Sequence, residues 1–249
     1  MVDKSLMKRR FAGAFGSYDK SAVVQKKIAA DLFALIGRYV SLPVSGMVLE
    51  VGCGTGFLTR MISTLVPPDR LLLNDICPES RLCLDDVPHA SFLEGDAENL
   101  DFPSGLGLIA SSSVLQWFQD LEGFLAKCHS HLMPGGYLAL STFAPGNLEE
   151  VSETSGNSLD YMPSDRLESL IAARFDILCS REDTHILHFR TPVDVLRHLK
   201  QTGVNGTGSR LWTKKDLNDF CMRYTERFGN GDGCTLTHRP LYIICKREK

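Results

Sequence analysis

The sequence predicts an α/β fold: a doubly wound, mostly parallel sheet of seven strands with helices on both faces, an N-terminal helix before it and a helical lid inserted near its end. Two observations predict this fold. Short apolar runs alternate with amphipathic stretches of about ten residues, and strands joined by helices of that length form parallel sheets. The first run, at 47–51, ends in glycines, as a buried parallel strand does. Right-handed crossovers leave few other topologies open.

The elements can be assigned in chain order. Residues 11–39 carry apolar side chains at three- and four-residue spacing, which predicts a helix, and a loop at 42–46 follows. Strands are predicted at 47–51, 70–74, 90–93, 106–111, 136–143, 175–182 and 241–245. Helices are predicted at 58–66, 78–87, 121–132, 164–173, 193–201 and 214–227.

No internal repeat and no long linker divides the chain, so residues 1–249 are predicted to form a single domain. Residues 1–40 would supply N-terminal cap helices, and residues 47–143 a ligand-binding core. Residues 191–230 would form a lid or substrate-side insertion between the last two strands. The polar, glycine-rich stretches 203–209 and 229–233 are expected to be mobile loops.

The composition excludes several classes of protein. With 43% apolar and 23% charged residues in 249, the chain has the profile of an ordinary folded domain. Disordered, collagen-like and disulfide-stapled sequences are therefore excluded. The 27 basic and 30 acidic residues give a net charge of −3, so the overall charge does not favour nucleic acid or a membrane surface as a partner. The sequence carries no indication of the oligomeric state.

The cellular setting is expected to be the cytoplasm. No apolar run approaches the roughly 20 residues that cross a bilayer, and no apolar signal core follows the basic residues near the start. The eight cysteines lie far apart with no C-x-x-C pair, which suits reduced thiols better than disulfides. No cysteine or histidine pair has the spacing of zinc ligands, so a metal site is not expected.

The strongest functional signal is a glycine loop directly after the first strand. It reads Glu50-Val51-Gly52-Cys53-Gly54-Thr55-Gly56 and opens a predicted helix. Glycines at alternate positions let the backbone turn tightly and approach a ligand. The loop is not the dinucleotide fingerprint G-x-G-x-x-G, because Phe57 stands where the third glycine is required. A phosphate-binding P-loop is excluded too, since no Gly-Lys-Ser/Thr follows.

The pattern E-x-G-x-G-x-G is similar to motif I of the class I S-adenosylmethionine methyltransferases, which have a Rossmann-like fold. The resemblance implies that Glu50 orients the loop and the amino group of S-adenosylmethionine. The other cofactor-binding residues that it implies are, in chain order, Gly52, Cys53, Gly54, Thr55 and Gly56 at the methionine moiety, Asp75 and Ile76 at the ribose, Asp96 and Ala97 at the adenine, and Ser111 and Ser112 near the sulfonium. A lone glycine loop is often only a tight turn, and a lone aspartate is often a helix cap. Four such signals in the expected order favour S-adenosylmethionine binding.

The chemistry of the acceptor decides whether a base is needed. No histidine stands in the segments nearest the glycine loop, and a carboxylate acceptor, ionised at pH 7 with a pKa of about 4, would need no base. Both ends of the chain resemble the malonyl-acyl-carrier-protein O-methyltransferases of biotin synthesis. The likeness lies in Arg10-Phe11, Phe15, Tyr18-Asp19 and Gln25, in Leu115-Gln116-Trp117, and in the segments 195–205 and 236–242. His238-Arg239 departs from the Tyr-His expected there.

This resemblance implies that the protein methylates the free carboxylate of malonyl-acyl-carrier protein, or of malonyl-CoA, to give the malonyl methyl ester. Tyr18 is the candidate hydroxyl donor to that carboxylate. On general grounds a core tyrosine explains this residue about as well, but the resemblance favours the functional role. Lys200 and Arg239 are candidate cations, and either could equally be a solvated surface residue. Trp117 could gate the acceptor pocket or fill the core below it.

An acyl-carrier protein is acidic, so the docking face is expected to be locally basic. Two clusters fit this expectation, or are ordinary charged surface: Lys4, Lys8, Arg9 and Arg10 at the front, and Arg197, Lys200, Arg210, Lys214 and Lys215 beside the lid. Two other hypotheses remain. The protein could be a small-molecule O- or C-methyltransferase acting on a quinone or phenol precursor, or a non-catalytic S-adenosylmethionine-binding partner. Turnover on free small acceptors, or no turnover at all, would distinguish them.

Overall fold

The computed structural model describes residues 3–87, 90–156, 159–204 and 212–248. The strands are β1 (Met47–Val51), β2 (Leu71–Asp75), β3 (Ser91–Glu94), β4 (Leu106–Ser112), β5 (Leu132–Phe143), β6 (Asp176–Glu182), β7 (His185–Phe189), β8 (Cys234–His238) and β9 (Pro240–Lys246). The α-helices are α1 (Lys4–Ser21), α2 (Val23–Tyr39), α3 (Phe57–Ile62), α4 (Leu121–His131), α5 (Glu149–Ser155), α6 (Ser164–Ala172), α7 (Pro192–Gln201) and α8 (Lys214–Phe228). Short 3-10 helices lie at Pro68–Arg70, Pro78–Cys83 and Leu115–Trp117.

Seven strands form one sheet in the order β3-β2-β1-β4-β5-β9-β6. Strands β1 to β5 run parallel, and β9 is antiparallel to both of its neighbours, β5 and β6. The predicted doubly wound, mostly parallel sheet is therefore confirmed. Because β1 lies between β2 and β4, the winding reverses there, and a crevice opens beyond the carboxyl ends of β1 and β4.

The predicted helix at 11–39 is two helices that meet at Ala22. The backbone angles of Ala22 (φ −82°, ψ 48°) are not helical, although the Ala22 N–H still donates a hydrogen bond to the Tyr18 carbonyl. The first helix begins earlier than predicted, because the Asp3 side chain caps it by accepting the Leu6 N–H. The break separates two roles: α2 packs on the sheet and α3, whereas α1 packs against α7.

Two predicted helices are also shorter than the sequence pattern indicated. The segment at 58–66 is helical only to Ile62. The predicted helix at 78–87 is a 3-10 helix that ends at Cys83. The Arg60 guanidinium donates a hydrogen bond to the Cys83 carbonyl (2.8 Å) and binds the Asp86 carboxylate. The Cys83 carbonyl is therefore bonded to a side chain where the helix ends.

The chain between β6 and β9 forms a separate layer with its own core. Besides the two predicted helices, α7 and α8, it contains β7 and β8, which pair antiparallel and were not predicted. The core of this layer is made of Val195, Leu199, Phe220, Tyr224 and Leu236. Most of the predicted loop at 203–209 lies outside the described residues, and so does Asn205 at the end of the 195–205 segment.

All eight cysteines are free thiols, and five of them are buried. Within the described ranges, no helix has both the length and the apolar character that a membrane span requires.

Candidate active site

A large cavity opens at the carboxyl ends of β1 and β4, with α1 forming part of its wall. It encloses about 1380 Å³, including the solvent at its mouth. Many of the predicted site residues line it: Tyr18, Glu50, Gly52, Cys53, Gly54, Thr55, Asp75, Ile76, Asp96, Ala97 and Ser112. The remaining ones, Gly56, Ser111, Lys200 and Arg239, do not.

The glycine loop has the conformation that only glycine adopts easily. Gly52, Gly54 and Gly56 have φ angles of +72°, +52° and +91°. A Cβ atom on Gly52 would lie 2.3 Å from Cγ2 of Val114, so this glycine is also required by packing. The same atom on Gly54 would meet nothing within 4 Å, because Gly54 faces the cavity. Gly56 instead caps α3 and packs against Arg60.

Glu50 is a buried carboxyl group that lacks a complete set of partners. It is 1% exposed, and its Oε2 atom has no hydrogen-bond partner. Burial raises the pKa of Glu50 to about 8, and the nearby Asp75 carboxylate adds to that effect. A buried, unpaired carboxylate oxygen on a cavity wall is costly unless a cationic ligand group reaches it. The methionine ammonium of S-adenosylmethionine fits this requirement.

Asp75 joins the glycine loop to the end of β2. Its Oδ2 accepts the Gly54 N–H (2.8 Å) and its Oδ1 accepts the Cys77 N–H (2.8 Å). Burial raises the pKa of Asp75, and these two N–H groups oppose the rise. Each carboxylate oxygen keeps a lone pair, so the group can still accept hydrogen bonds from the two ribose hydroxyls.

Asp96 is held in place by three donors. Its Oδ1 accepts the Glu98 N–H (3.1 Å), and its Oδ2 accepts Asn99 Nδ2 (3.0 Å) and Lys4 Nζ (2.6 Å). Lys4 also pairs with the Glu98 carboxylate. The first turn of α1 is thereby tied to the segment after β3, and Lys4 belongs to the cavity wall as well as to the predicted basic cluster.

The two serines at the end of β4 point in different directions. Ser111 is fully buried and donates its hydroxyl proton to the Val51 carbonyl (2.9 Å), so it joins β4 to β1 and does not line the cavity. Ser112 lines the cavity, and its hydroxyl lies 3.0 Å from the Ser141 hydroxyl.

Aromatic rings enclose the part of the cavity under α1. Tyr18 is stacked on Phe57 with ring centroids 5.9 Å apart, and Trp117 meets Phe11 edge-on at 5.8 Å. Burial raises the pKa of Tyr18, and the charges of Asp19 and Asp75 raise it further. The Tyr18 hydroxyl therefore stays protonated and can donate a hydrogen bond. Within the described part of the chain, it has no hydrogen-bond partner.

Three polar residues that the sequence analysis did not assign to the site line the cavity near Phe143: Asn147, Tyr161 and His238. Asn147 Nδ2 donates to the Tyr161 hydroxyl oxygen (2.8 Å). His238 is 3% exposed, and burial lowers its pKa to about 3, so the imidazole is neutral at pH 7. Because these three residues are far apart along the chain, no sequence motif joined them. The one signal was at His238, where His238-Arg239 departs from the expected Tyr-His.

The two predicted cations lie outside the cavity. Lys200 is exposed on α7. The Arg239 guanidinium pairs with Glu182 (3.1 Å), and only the Arg239 backbone faces the site, donating its N–H to Asn147 Oδ1 (3.0 Å). Among the described lining residues, Lys4 is the basic one besides the neutral His238, and Glu50, Asp75 and Asp96 are the acidic ones.

Comparisons with known proteins agree with this geometry. Residues 49–140 match the family model described as a methyltransferase domain. A malonyl-(acyl-carrier protein) O-methyltransferase of Bacteroides thetaiotaomicron is 41% identical over 261 residues, which cover all of both chains. The protein of that name from Haemophilus influenzae is 36% identical over 98% of this chain and 95% of its own.

Solved structures share the fold at low sequence identity. The 1,6-didemethyltoxoflavin-N1-methyltransferase of Burkholderia thailandensis, solved with its acceptor and S-adenosylhomocysteine, aligns with a TM-score of 0.58. The alignment covers 99% of this chain and 89% of that one, at 14% identity. The shared fold and the buried Glu50 carboxyl agree on S-adenosylmethionine as the cofactor.

Proposed function

Because the chain belongs to the malonyl-(acyl-carrier protein) O-methyltransferase family, we propose that it esterifies the free carboxylate of a malonyl group carried as a thioester on an acyl-carrier protein. The product would be the malonyl methyl ester, which the family resemblance places early in biotin synthesis. Esterification removes a charge that would be costly in the apolar sites of fatty-acid elongation.

Bound S-adenosylmethionine supplies a methyl group on a positively charged sulfur. The residues that would hold it are Glu50 at the ammonium, Asp75 at the ribose, Asp96 with Ala97 at the adenine, and the glycine loop along the methionine chain. The aromatic wall under α1 keeps water away from the reacting atoms, and the enzyme then acts by positioning and desolvation.

The observation that carries the acceptor assignment is the absence of an effective base among the described lining residues. His238 has a pKa of about 3 and would take up a proton poorly. The carboxyl groups of Glu50, Asp75 and Asp96 belong to the cofactor end. An acceptor such as a phenol would need to lose a proton, whereas a malonyl carboxylate, with a pKa of about 4, is already ionised. The lining of the cavity therefore favours a carboxylate as the methyl acceptor over a quinone or phenol precursor.

We further propose that α1 and α7 form the docking face for the carrier protein. The two helices lie side by side, since the Ser17 and Ser21 hydroxyls both bond to Gln201 (3.2 Å each). Of the predicted basic residues, Lys8 and Arg9 lie on α1, Lys200 lies on α7, and Lys214 and Lys215 lie in the first turn of α8. All but the partly buried Lys8 are exposed, and we call the five together the basic ridge. Arg197 is paired with Asp194, and Arg210 lies outside the described residues.

The direct test is an incubation of the protein with S-adenosylmethionine and three acceptors in parallel: malonyl-carrier protein, malonyl-CoA and a free phenol. We expect the mass of the malonyl thioester to rise by one methyl group, with the carrier-bound form preferred. Folded protein that binds the cofactor but forms no malonyl ester would exclude this function. Methylation of the phenol alone would establish the small-molecule alternative.

A further inference from the structure

The hydrogen bonds that run from the Arg239 backbone through Asn147 to Tyr161 have a definite donor-to-acceptor direction. The Arg239 backbone N–H can only donate, so the atom of Asn147 that it meets at 3.0 Å is the amide oxygen. The amide nitrogen of Asn147 is therefore turned toward Tyr161 and donates to its hydroxyl oxygen at 2.8 Å. This arrangement leaves the Tyr161 hydroxyl proton free for another acceptor.

No described residue accepts that proton. The tyrosine is largely enclosed, and burial raises its pKa to about 12, so the hydroxyl remains a donor at neutral pH. A donor held in an enclosed site without an acceptor costs free energy, and the cost is relieved when a ligand oxygen occupies the vacant direction.

The hydroxyl faces the main cavity. Tyr161 lines both this cavity and a second hollow, which is also lined by residues such as Thr142, Asp160 and Met162. Asn147 lines only the main cavity, so the hydrogen-bonded end of Tyr161 lies on that side. Of the described residues, Phe143 packs against Tyr161 and neutral His238 packs against Phe143, and neither carries a positive charge.

We propose that Tyr161 donates a hydrogen bond to the acceptor carboxylate, and that Asn147 is a positioning residue that sets the direction of this O–H group. The proposal rests on the proposed function. An uncharged donor can hold one carboxylate oxygen while leaving the other free to attack, whereas a bidentate arginine would hold both. In this arrangement Arg239 contributes through its backbone N–H rather than through its charge.

The first test compares Tyr161→Phe with the wild type and with Tyr137→Phe as the matched control. The Tyr137 hydroxyl bonds to Ser41 (2.9 Å), and Tyr137 lies in the first half of β5 and does not line the cavity at the carboxyl ends of the strands. We expect Tyr161→Phe to raise KM for malonyl-carrier protein about tenfold, with kcat and cofactor affinity within a factor of about two, because a bond present in both ground and transition states affects binding alone. The Kd of malonyl-pantetheine with S-adenosylhomocysteine bound should rise equally.

The second test asks whether Asn147 acts through Tyr161. Asn147→Ala should raise the acceptor KM in the wild-type background but change it little in the Tyr161→Phe background, because the two residues serve one contact. Additive effects, or wild-type KM and Kd values in both single variants, would overturn the proposal. A wild-type protein that makes no malonyl ester would overturn the proposed function itself, so the two failures are distinguishable.

Discussion

The carboxyl group of Glu50 links cofactor binding to folding. It is held inside the protein with one oxygen unpaired, at a pKa of about 8 compared with an ordinary value of 4.5. Between these two values the folded protein retains a proton that the unfolded chain releases. The free energy of unfolding without cofactor therefore decreases as pH rises from about 4.5 to about 8, and Glu50 contributes no further change above that.

This predicts the behaviour of Glu50→Gln. Without cofactor, its melting temperature should exceed that of the wild type by an amount that grows from pH 5 to pH 8, because glutamine has no proton to lose. Its affinity for S-adenosylmethionine should decrease about 10- to 100-fold, the value of one charge-assisted contact. Calorimetric melting and titration check both effects. If the melting temperatures of the variant and the wild type differed by the same amount at every pH in this range, the burial assigned to Glu50 would be contradicted.

Tyr18 is expected to act on the acceptor and not on the cofactor. Tyr18→Phe should lower kcat/KM for malonyl-carrier protein about tenfold, the order of one hydrogen bond to a charged group, and leave the affinity for S-adenosylmethionine unchanged. Tyr39→Phe on α2 is the control, since Tyr39 does not line the cavity. If Tyr18→Phe were as active as the Tyr39→Phe control, the role of Tyr18 would be limited to packing against Phe57.

Among the elements, the glycine loop is the one whose residues have separable roles. Gly52 has Val114 against its α-carbon, whereas Gly54 opens onto the cavity, although both have positive φ angles. Gly156 has a φ of +73° and nothing within 4 Å, so a methyl group there reports backbone strain alone.

Alanine at these three positions should therefore give three outcomes. Gly156→Ala should lower the free energy of unfolding by about 1 kcal/mol and leave cofactor binding intact. Gly54→Ala should cost a similar amount of stability but abolish tight cofactor binding. Gly52→Ala should be the least stable, by a further 1–3 kcal/mol or so, because the Val114 side chain must also move. Chemical denaturation and calorimetric titration distinguish them; equal stabilities of the Gly52 and Gly54 variants would contradict the packing.

The sheet could be predicted from the sequence because its signals are local, and so could most of the residues that line the cavity beside β1 and β2. Parallel strands buried on both faces are continuous apolar runs, and the predicted cofactor residues lie at the carboxyl end of such a run or within a few residues after it. β7 was missed because its residues alternate between partly buried and exposed in a short segment. The split at Ala22 was missed because apolar spacing continues through it.

The polar group of Asn147, Tyr161 and His238, which we propose for the acceptor, could not be predicted because it is assembled by long-range packing. Asn147, Tyr161 and His238 come from the segments after β5, before α6 and at the end of β8, and no local pattern joins them. Lys200 was misleading for a related reason. Lys200 follows Leu199, which packs in the core of the layer between β6 and β9, so the lysine side chain is on the exposed side of α7.

At the level of the whole molecule, the proposed function assigns the basic ridge and the cavity to different parts of one substrate. The cavity would take the malonyl group, and the ridge would meet the acidic surface of the carrier. Because the whole chain has a net charge of −3, the proposed attraction to an acidic carrier would depend on these basic residues and not on the overall charge.

Charge reversal tests the ridge. Arg9→Glu and Lys200→Glu should each raise KM for malonyl-carrier protein about two- to fivefold at low salt, the range of an exposed ion pair, and the effect should shrink as salt is added. KM for malonyl-pantetheine, which lacks the protein, should not change. Arg70→Glu should behave as wild type, because Arg70 directly precedes the amino end of β2, whereas the cavity opens at the carboxyl ends of the strands. A defect on malonyl-pantetheine as well would move these residues into the acceptor site.

The most direct test of the account is the pH dependence of a single turnover, with malonyl-carrier protein mixed into enzyme already saturated with S-adenosylmethionine. An acceptor that is ionised beforehand needs no base, so the methyl-transfer rate should be constant from about pH 6 to pH 9, well above a carboxyl pKa of about 4. A rate that falls tenfold per pH unit on the acidic side of this range would show that a proton must be removed and would contradict the account.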